Sequence, residues 1–73
     1  MRVKIVLYGE HALKHGPRLE LDVEEGTTVG ELLKKLGISA EEHHILVNER
    51  KVGKDYSLRD GDVLKVLPVV YGG

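Results

Sequence analysis

Cysteine is absent from this 73-residue sequence, and so are phenylalanine, tryptophan and glutamine. Without a thiol there is no disulfide, no thiolate nucleophile and no cysteine-held metal. An excess of either charge is also missing. Eleven Lys and Arg residues stand against 12 Asp and Glu, for a formal net charge of −1. That balance argues against nucleic-acid binding through bulk electrostatics, which needs a basic surface. No long apolar run occurs, and the N-terminus enters a strand pattern directly. Neither a membrane span nor a signal peptide is therefore expected, and the expected location is cytoplasmic.

What remains is 41% hydrophobic and 32% charged, the make-up of a folded globule and not of a disordered chain. Seventy-three residues make one small domain. Met1 to Tyr8 alternates, with Val3, Ile5 and Leu7 on one face and Lys4, Val6 and Tyr8 on the other. This is strand spacing. Gly9 to Pro17 reads as a loop with turn residues at both ends. Arg18 to Val23 alternates again and completes a hairpin with one wet face.

Thr28-Val29-Gly30-Glu31 matches a capping box, in which hydroxyl and carboxylate each satisfy the other residue's amide. Val29, Leu32, Leu33 and Leu36 follow at helical spacing, which predicts a packed helix of about eight or nine residues. Lys34 and Lys35 suit its C-terminal end, and Gly37 is a left-handed stop. Ile38 to Glu42 is a connection with room for a helical turn. Ile45 to Asn48 is a third strand, Glu49-Arg50 a turn and Lys51-Val52 a very short fourth strand. Gly53 to Asp60 is a long link whose Tyr56 and Leu58 dip into the core. Asp60-Gly61-Asp62 is a turn. The last strand, Asp62 to Leu67, turns Leu64 and Val66 inward and Lys65 and Leu67 outward. Its near-continuous apolar character suits a central place, parallel to the first strand. The predicted fold class is α+β, a mixed sheet of four to five strands crossed by one helix, with residues 1–68 as the domain and 69–73 as a flexible tail.

The sequence ends Val69-Val70-Tyr71-Gly72-Gly73. Five extended residues after Pro68 reach roughly 16 Å. Glycine has no Cβ, so Gly72-Gly73 is the thinnest peptide that a narrow channel can admit. The Gly73 carboxylate is the expected working group, and Tyr71 is placed to read a partner's channel. Val6, Tyr8, Leu46 and Leu67 are expected on one outer sheet face, leading through Pro68 to the tail. An apolar patch of that kind suits a partner. His11, His15, His43 and His44 are read as solvated histidines without a metal site, because no carboxylate completes a ligand spacing. Arg50-Lys51 is a pair that can orient an acidic partner surface.

Thr28-Val29-Gly30-Glu31-Leu32-Leu33, Leu46-Val47-Asn48, Leu58-Arg59-Asp60-Gly61-Asp62 and the Gly-Gly end occur in that order. Together they resemble the ubiquitin-like β-grasp fold, and within it the prokaryotic sulfur-carrier branch. That branch holds the small subunit of molybdopterin synthase and the sulfur carrier of thiamine biosynthesis. Pro68-Val69 is similar to the molybdopterin type, whereas Leu36-Gly37-Ile38 and Val47-Asn48 are equally similar to the thiamine type. Val70-Tyr71 departs from the small residues expected there.

The resemblance implies that an ATP-dependent adenylating enzyme activates the Gly73 carboxylate. A sulfur donor such as a cysteine desulfurase or rhodanese-type protein then leaves a thiocarboxylate, and a synthase takes the sulfur into molybdopterin, thiamine or a tRNA base. The chain would be carrier and cosubstrate, with no bound cofactor and no catalytic residue of its own. Two alternatives stand beside this reading. One is a protein modifier joined through Gly73 to lysines, and the other is a plain interaction domain.

Overall fold

A computed structural model describes residues 1–69. Five strands form one mixed sheet: β1 (Arg2–Leu7), β2 (Arg18–Asp22), β3 (His43–Val47), β4 (Arg50–Lys51) and β5 (Val63–Pro68). The lateral order is β2-β1-β5-β3-β4. β1 pairs antiparallel with β2 and parallel with β5, and β5 pairs antiparallel with β3. The last strand thus occupies the centre beside the first, as its apolar run predicts. It leaves β2 and the two-residue β4 as edges, and a short edge offers little to pair with.

Two helices accompany the sheet, one more than the sequence pattern predicts. α1 (Gly9–His15) replaces the expected loop between β1 and β2. α2 (Val29–Lys35) is the helix read from the capping box. A 3-10 turn at Ala40–Glu42 fills the connection after it. The hairpin loop also falls one residue earlier than expected. Asn48 and Glu49 are its two central residues, and Arg50 already belongs to β4.

The core is aliphatic and lies between the sheet's inner face and α2. Val3, Ile5 and Leu7 from β1, Ile45 and Val47 from β3, and Leu64 and Val66 from β5 point into it. Val29, Leu32 and Leu33 cover them, with Ile38 and Leu58 closing the ends. Tyr56 packs against the margin. A seven-residue helix is too short to stand alone in water, so α2 depends on this packing and on its ends.

Both halves of the capping box form. The Thr28 amide donates to Glu31 Oε1 at 3.0 Å, and the Glu31 amide donates to Thr28 Oγ1 at 3.2 Å. At the other end Gly37 sits at φ 73°, a conformation that costs a residue with a Cβ. The hydrogen bond from the Thr28 backbone, followed by that from its hydroxyl, holds the Glu31 carboxyl below its ordinary value of 4.5. A depressed carboxyl stabilises the fold above its unfolded value, and that contribution is lost as pH falls through the folded one. Thr28→Ala should cost about 1 kcal/mol at neutral pH. Glu31→Gln should flatten the loss of stability on acidification below pH 4.5, as urea titrations at several pH values will show.

Candidate functional site

The outer sheet face is built by the strand register. Arg18 pairs with Val6, Val6 with Lys65, Lys65 with Leu46, and Leu46 with Lys51. One row therefore crosses all five strands as cation, apolar, cation, apolar, cation. Adjacent strands lie about 4.8 Å apart, so successive cations of the row root about 10 Å apart. Leu67 stands one pleat along β5 from Lys65, opposite His44. Tyr8 continues the alternation of β1 beyond Val6 and is 39% exposed. Val6, Leu46 and Leu67 are half-buried. The structure thus brings four of the expected patch residues, Val6, Tyr8, Leu46 and Leu67, onto one face around Lys65.

Pro68 goes elsewhere. It follows Leu64 and Val66 on the inner side of β5 and pairs with His43. With Val69 it lines a cleft at the root of the tail, shared with Glu10, His11, Gly37, Ser39, Glu42 and His43. The pleat explains the split, because successive residues of a strand point to opposite faces. Val70, Tyr71, Gly72 and Gly73 lie outside the described residues, so the expected working group and most of the tail do too.

The cleft exists because of α1. Gly16, at φ 93°, ends that helix, and its amide donates to the Ala12 carbonyl at 2.7 Å. His15 Nε2 donates to the Leu36 carbonyl at 3.0 Å, which ties α1 to the end of α2. His11 and His43 bring their rings to 4.9 Å between centroids, tilted by 57°. His43 Nδ1 in turn donates to the Ser39 carbonyl at 2.7 Å. His11, His15 and His43 are therefore half-buried structural groups, a correction to their reading as solvated histidines and, for His11 and His15, as loop residues. The signal available in the sequence was Gly16-Pro17 behind Lys14 and His15, a helix stop with cations in the last turn. Among the described residues no group of three His, Cys, Asp or Glu side chains could hold a metal ion.

The turn before β5 is fastened to the sheet. Asp62 is buried, with Asn48 Nδ2 donating to its Oδ1 at 2.9 Å and the Arg59 amide to its Oδ2 at 2.8 Å. The Val63 amide donates to Asn48 Oδ1 at 3.0 Å. Asp60 accepts from the Arg2 amide at 2.8 Å. These carboxylates are occupied by backbone and amide donors, as turn residues should be, and β5 starts from a fixed point.

The ThiS family model matches residues 5–73, nearly the whole length. The chain belongs to the ThiS family. It is thus a member of a ubiquitin-like β-grasp family of small sulfur carriers. Solved structures share the fold. A putative molybdopterin converting factor subunit 1 from Pyrococcus furiosus is 27% identical, with a TM-score of 0.80 over 96% of this chain and 99% of that one. Small archaeal modifier protein 1 from Haloferax volcanii is 20% identical, with a TM-score of 0.80 over 94% and 98%. A chain of the complex of subunits 1 and 2 of the Helicobacter pylori molybdopterin-converting factor is a further likeness, at 23% identity and a TM-score of 0.63 over the full length of both chains. No helix among the described residues of this ThiS-family chain is long and apolar enough to cross a membrane.

Proposed function

We propose that this chain carries sulfur on its C-terminal glycine. The observation that carries the reading is the reach of the ThiS match, which runs through Gly72 and Gly73 at the end of the sequence. A carboxylate is a poor electrophile until one oxygen becomes a leaving group. An ATP-dependent adenylating enzyme supplies that: the Gly73 carboxylate attacks the α-phosphorus, pyrophosphate leaves, and an acyl adenylate forms. The terminal sulfur of a persulfide on a desulfurase or rhodanese-type donor then attacks the carbonyl, and AMP leaves. A second thiol cleaves the resulting acyl disulfide and frees the thiocarboxylate. A synthase consumes that sulfur in making molybdopterin, thiamine or a thiolated tRNA base. The chain has no cysteine to compete for the sulfur.

Incubation with the adenylating enzyme, ATP and a persulfide source, followed by intact-mass measurement, tests the reading. Exchange of one oxygen for sulfur supports it, and no ATP-dependent change with any adenylating enzyme of the source organism sinks it. A second reading keeps the activation and changes the acceptor to a lysine amine. The fold shared with small archaeal modifier protein 1 favours keeping it in view. A ladder of heavier conjugates is its signature.

Docking falls to the outer face, where Val6, Tyr8, Leu46 and Leu67 lead toward the tail. Leu67→Asp sits on that face and not in the core, so it should stay folded while its activation rate drops about tenfold or more. A folded Leu67→Asp chain activated at the wild-type rate removes the patch from the account.

A further inference from the structure

The outer face is the basic side of an acidic chain. It carries Arg2, Lys4, Arg18, Lys51 and Lys65 against Glu20, Asp22 and Glu49, a formal charge of +2. The six other cations and nine other carboxylates leave −3 for the remainder of the sequence. Internal pairing sharpens the contrast. Arg2 engages both Glu20 and Asp22, at 3.2 and 3.3 Å. Glu49 engages Lys65. Among the described residues no ion pair engages Lys4, Arg18 or Lys51.

Lys65 is the centre of this arrangement. Val6 and Leu46 flank it across the strands, and Leu67 lies beside it. Its side chain is 30% exposed, against 57% for the ion-paired Arg2 and Lys54. Its ammonium is held above the ordinary lysine value, first by the hydrogen bond it donates to the Glu49 carboxylate and then by that carboxylate's charge.

The partner carboxylate comes at a backbone cost. Glu49 is the second central residue of a two-residue hairpin, at φ 70° behind Asn48 at φ 51°. Turns of that shape favour glycine at this position, and glutamate there is strained by its Cβ. The left-handed turn aims the Glu49 carboxylate at Lys65, so a central cation is neutralised from within the chain.

We infer that this row, with Lys65 at its centre and Arg18 and Lys51 on its flanks, selects a partner protein whose docking surface sets carboxylates around an apolar middle, and that Glu49 holds the place of the central one until the partner arrives. The inference rests on the carrier reading and takes the adenylating enzyme as that partner. A carboxylate brought by the enzyme displaces Glu49 to solvent and pairs with Lys65 in a water-poor interface. Glu49 is a competitor for that pairing and not a support for it.

The two roles predict opposite signs, which makes the test decisive. Carrier-dependent ATP–pyrophosphate exchange is measured with the purified adenylating enzyme, giving KM and kcat. Lys65→Glu should raise KM at least about tenfold with little change in kcat. Glu49→Gln should lower KM. The swapped pair, Glu49→Lys with Lys65→Glu, should remain as poor as Lys65→Glu, whereas a purely structural ion pair would be rescued. KM should rise with salt in the wild type and less steeply in Lys4→Gln/Arg18→Gln. Circular dichroism and thermal melts establish that each variant is folded. A folded Lys65→Glu chain with a KM within twofold of wild type overturns the inference while the carrier reading stands, and so does rescue by the swap. A wild type inert with every adenylating enzyme overturns both. Anisotropy with a single-stranded oligonucleotide, and light scattering for a dimer, complete the test. Binding or self-association abolished by Lys65→Glu assigns the face to another occupant and overturns the inference.

Discussion

One alanine added after Gly73 should abolish the ATP-dependent sulfur gain. Activation requires the terminal carboxylate to meet the α-phosphorus of ATP inside another protein's active site. An extra residue moves that carboxylate by about 3.5 Å and adds a Cβ where the sequence has none. Misplacement of a reacting group by an ångström can cost about 100-fold, so a fall of about 100-fold or more is expected. Intact-mass spectra show whether the alanine is still attached when the product is weighed. An extended chain that gains sulfur at the wild-type rate, untrimmed, would falsify the terminal-carboxylate reading. The variant should melt like the wild type, because the addition lies beyond β5 and the core.

Leu64→Ala should be the most damaging of single substitutions in the core. Leu64 is fully buried near the start of the central strand, paired with Ile5 on one side and Val47 on the other. Deleting a leucine side chain from such a site costs about 2–5 kcal/mol, through lost burial and the cavity left behind. Small domains have about 5–15 kcal/mol in all, so a large part of the stability should go. The urea midpoint should fall steeply while the dependence on urea stays the same. A shift below about 1 kcal/mol would mean that the site collapses around the smaller side chain. Leu67→Asp offers the contrast three residues further on the same strand. There, a charge on the outer face should spare the fold and harm docking.

Most of the scaffold was legible because its signals are local. Alternation in Val3, Ile5 and Leu7 and in Leu64 and Val66 gave both central strands and their buried faces. The Thr28 and Glu31 pair gave the start of α2 to the residue, and Gly37 marked its end. α1 was missed because it has no apolar stripe to betray it. Its Leu13 is 91% exposed, and Ala12 alone of its aliphatic residues packs against the core. What holds α1 is a hydrogen bond from His15 to Leu36, 21 residues away, which no local pattern announces. The outer patch was legible by alternation alone. The place of Pro68 was not, because the notion of a path to the tail ignored the pleat that turns it inward.

Sequence alone determined the order of the strands and of α2, the inward set of aliphatic side chains and the ThiS-type motifs that run to Gly73. These depend on residues within a few positions of one another, where periodicity and capping act directly. Tertiary structure decided the rest. It set Arg18, Val6, Lys65, Leu46 and Lys51 in one row, and it gathered the basic charge of an acidic chain onto one face. It also brought Glu49 to Lys65 and His11 to His43. Register across strands distant in the chain fixes those neighbours, and register is settled only when the whole sheet closes over its core.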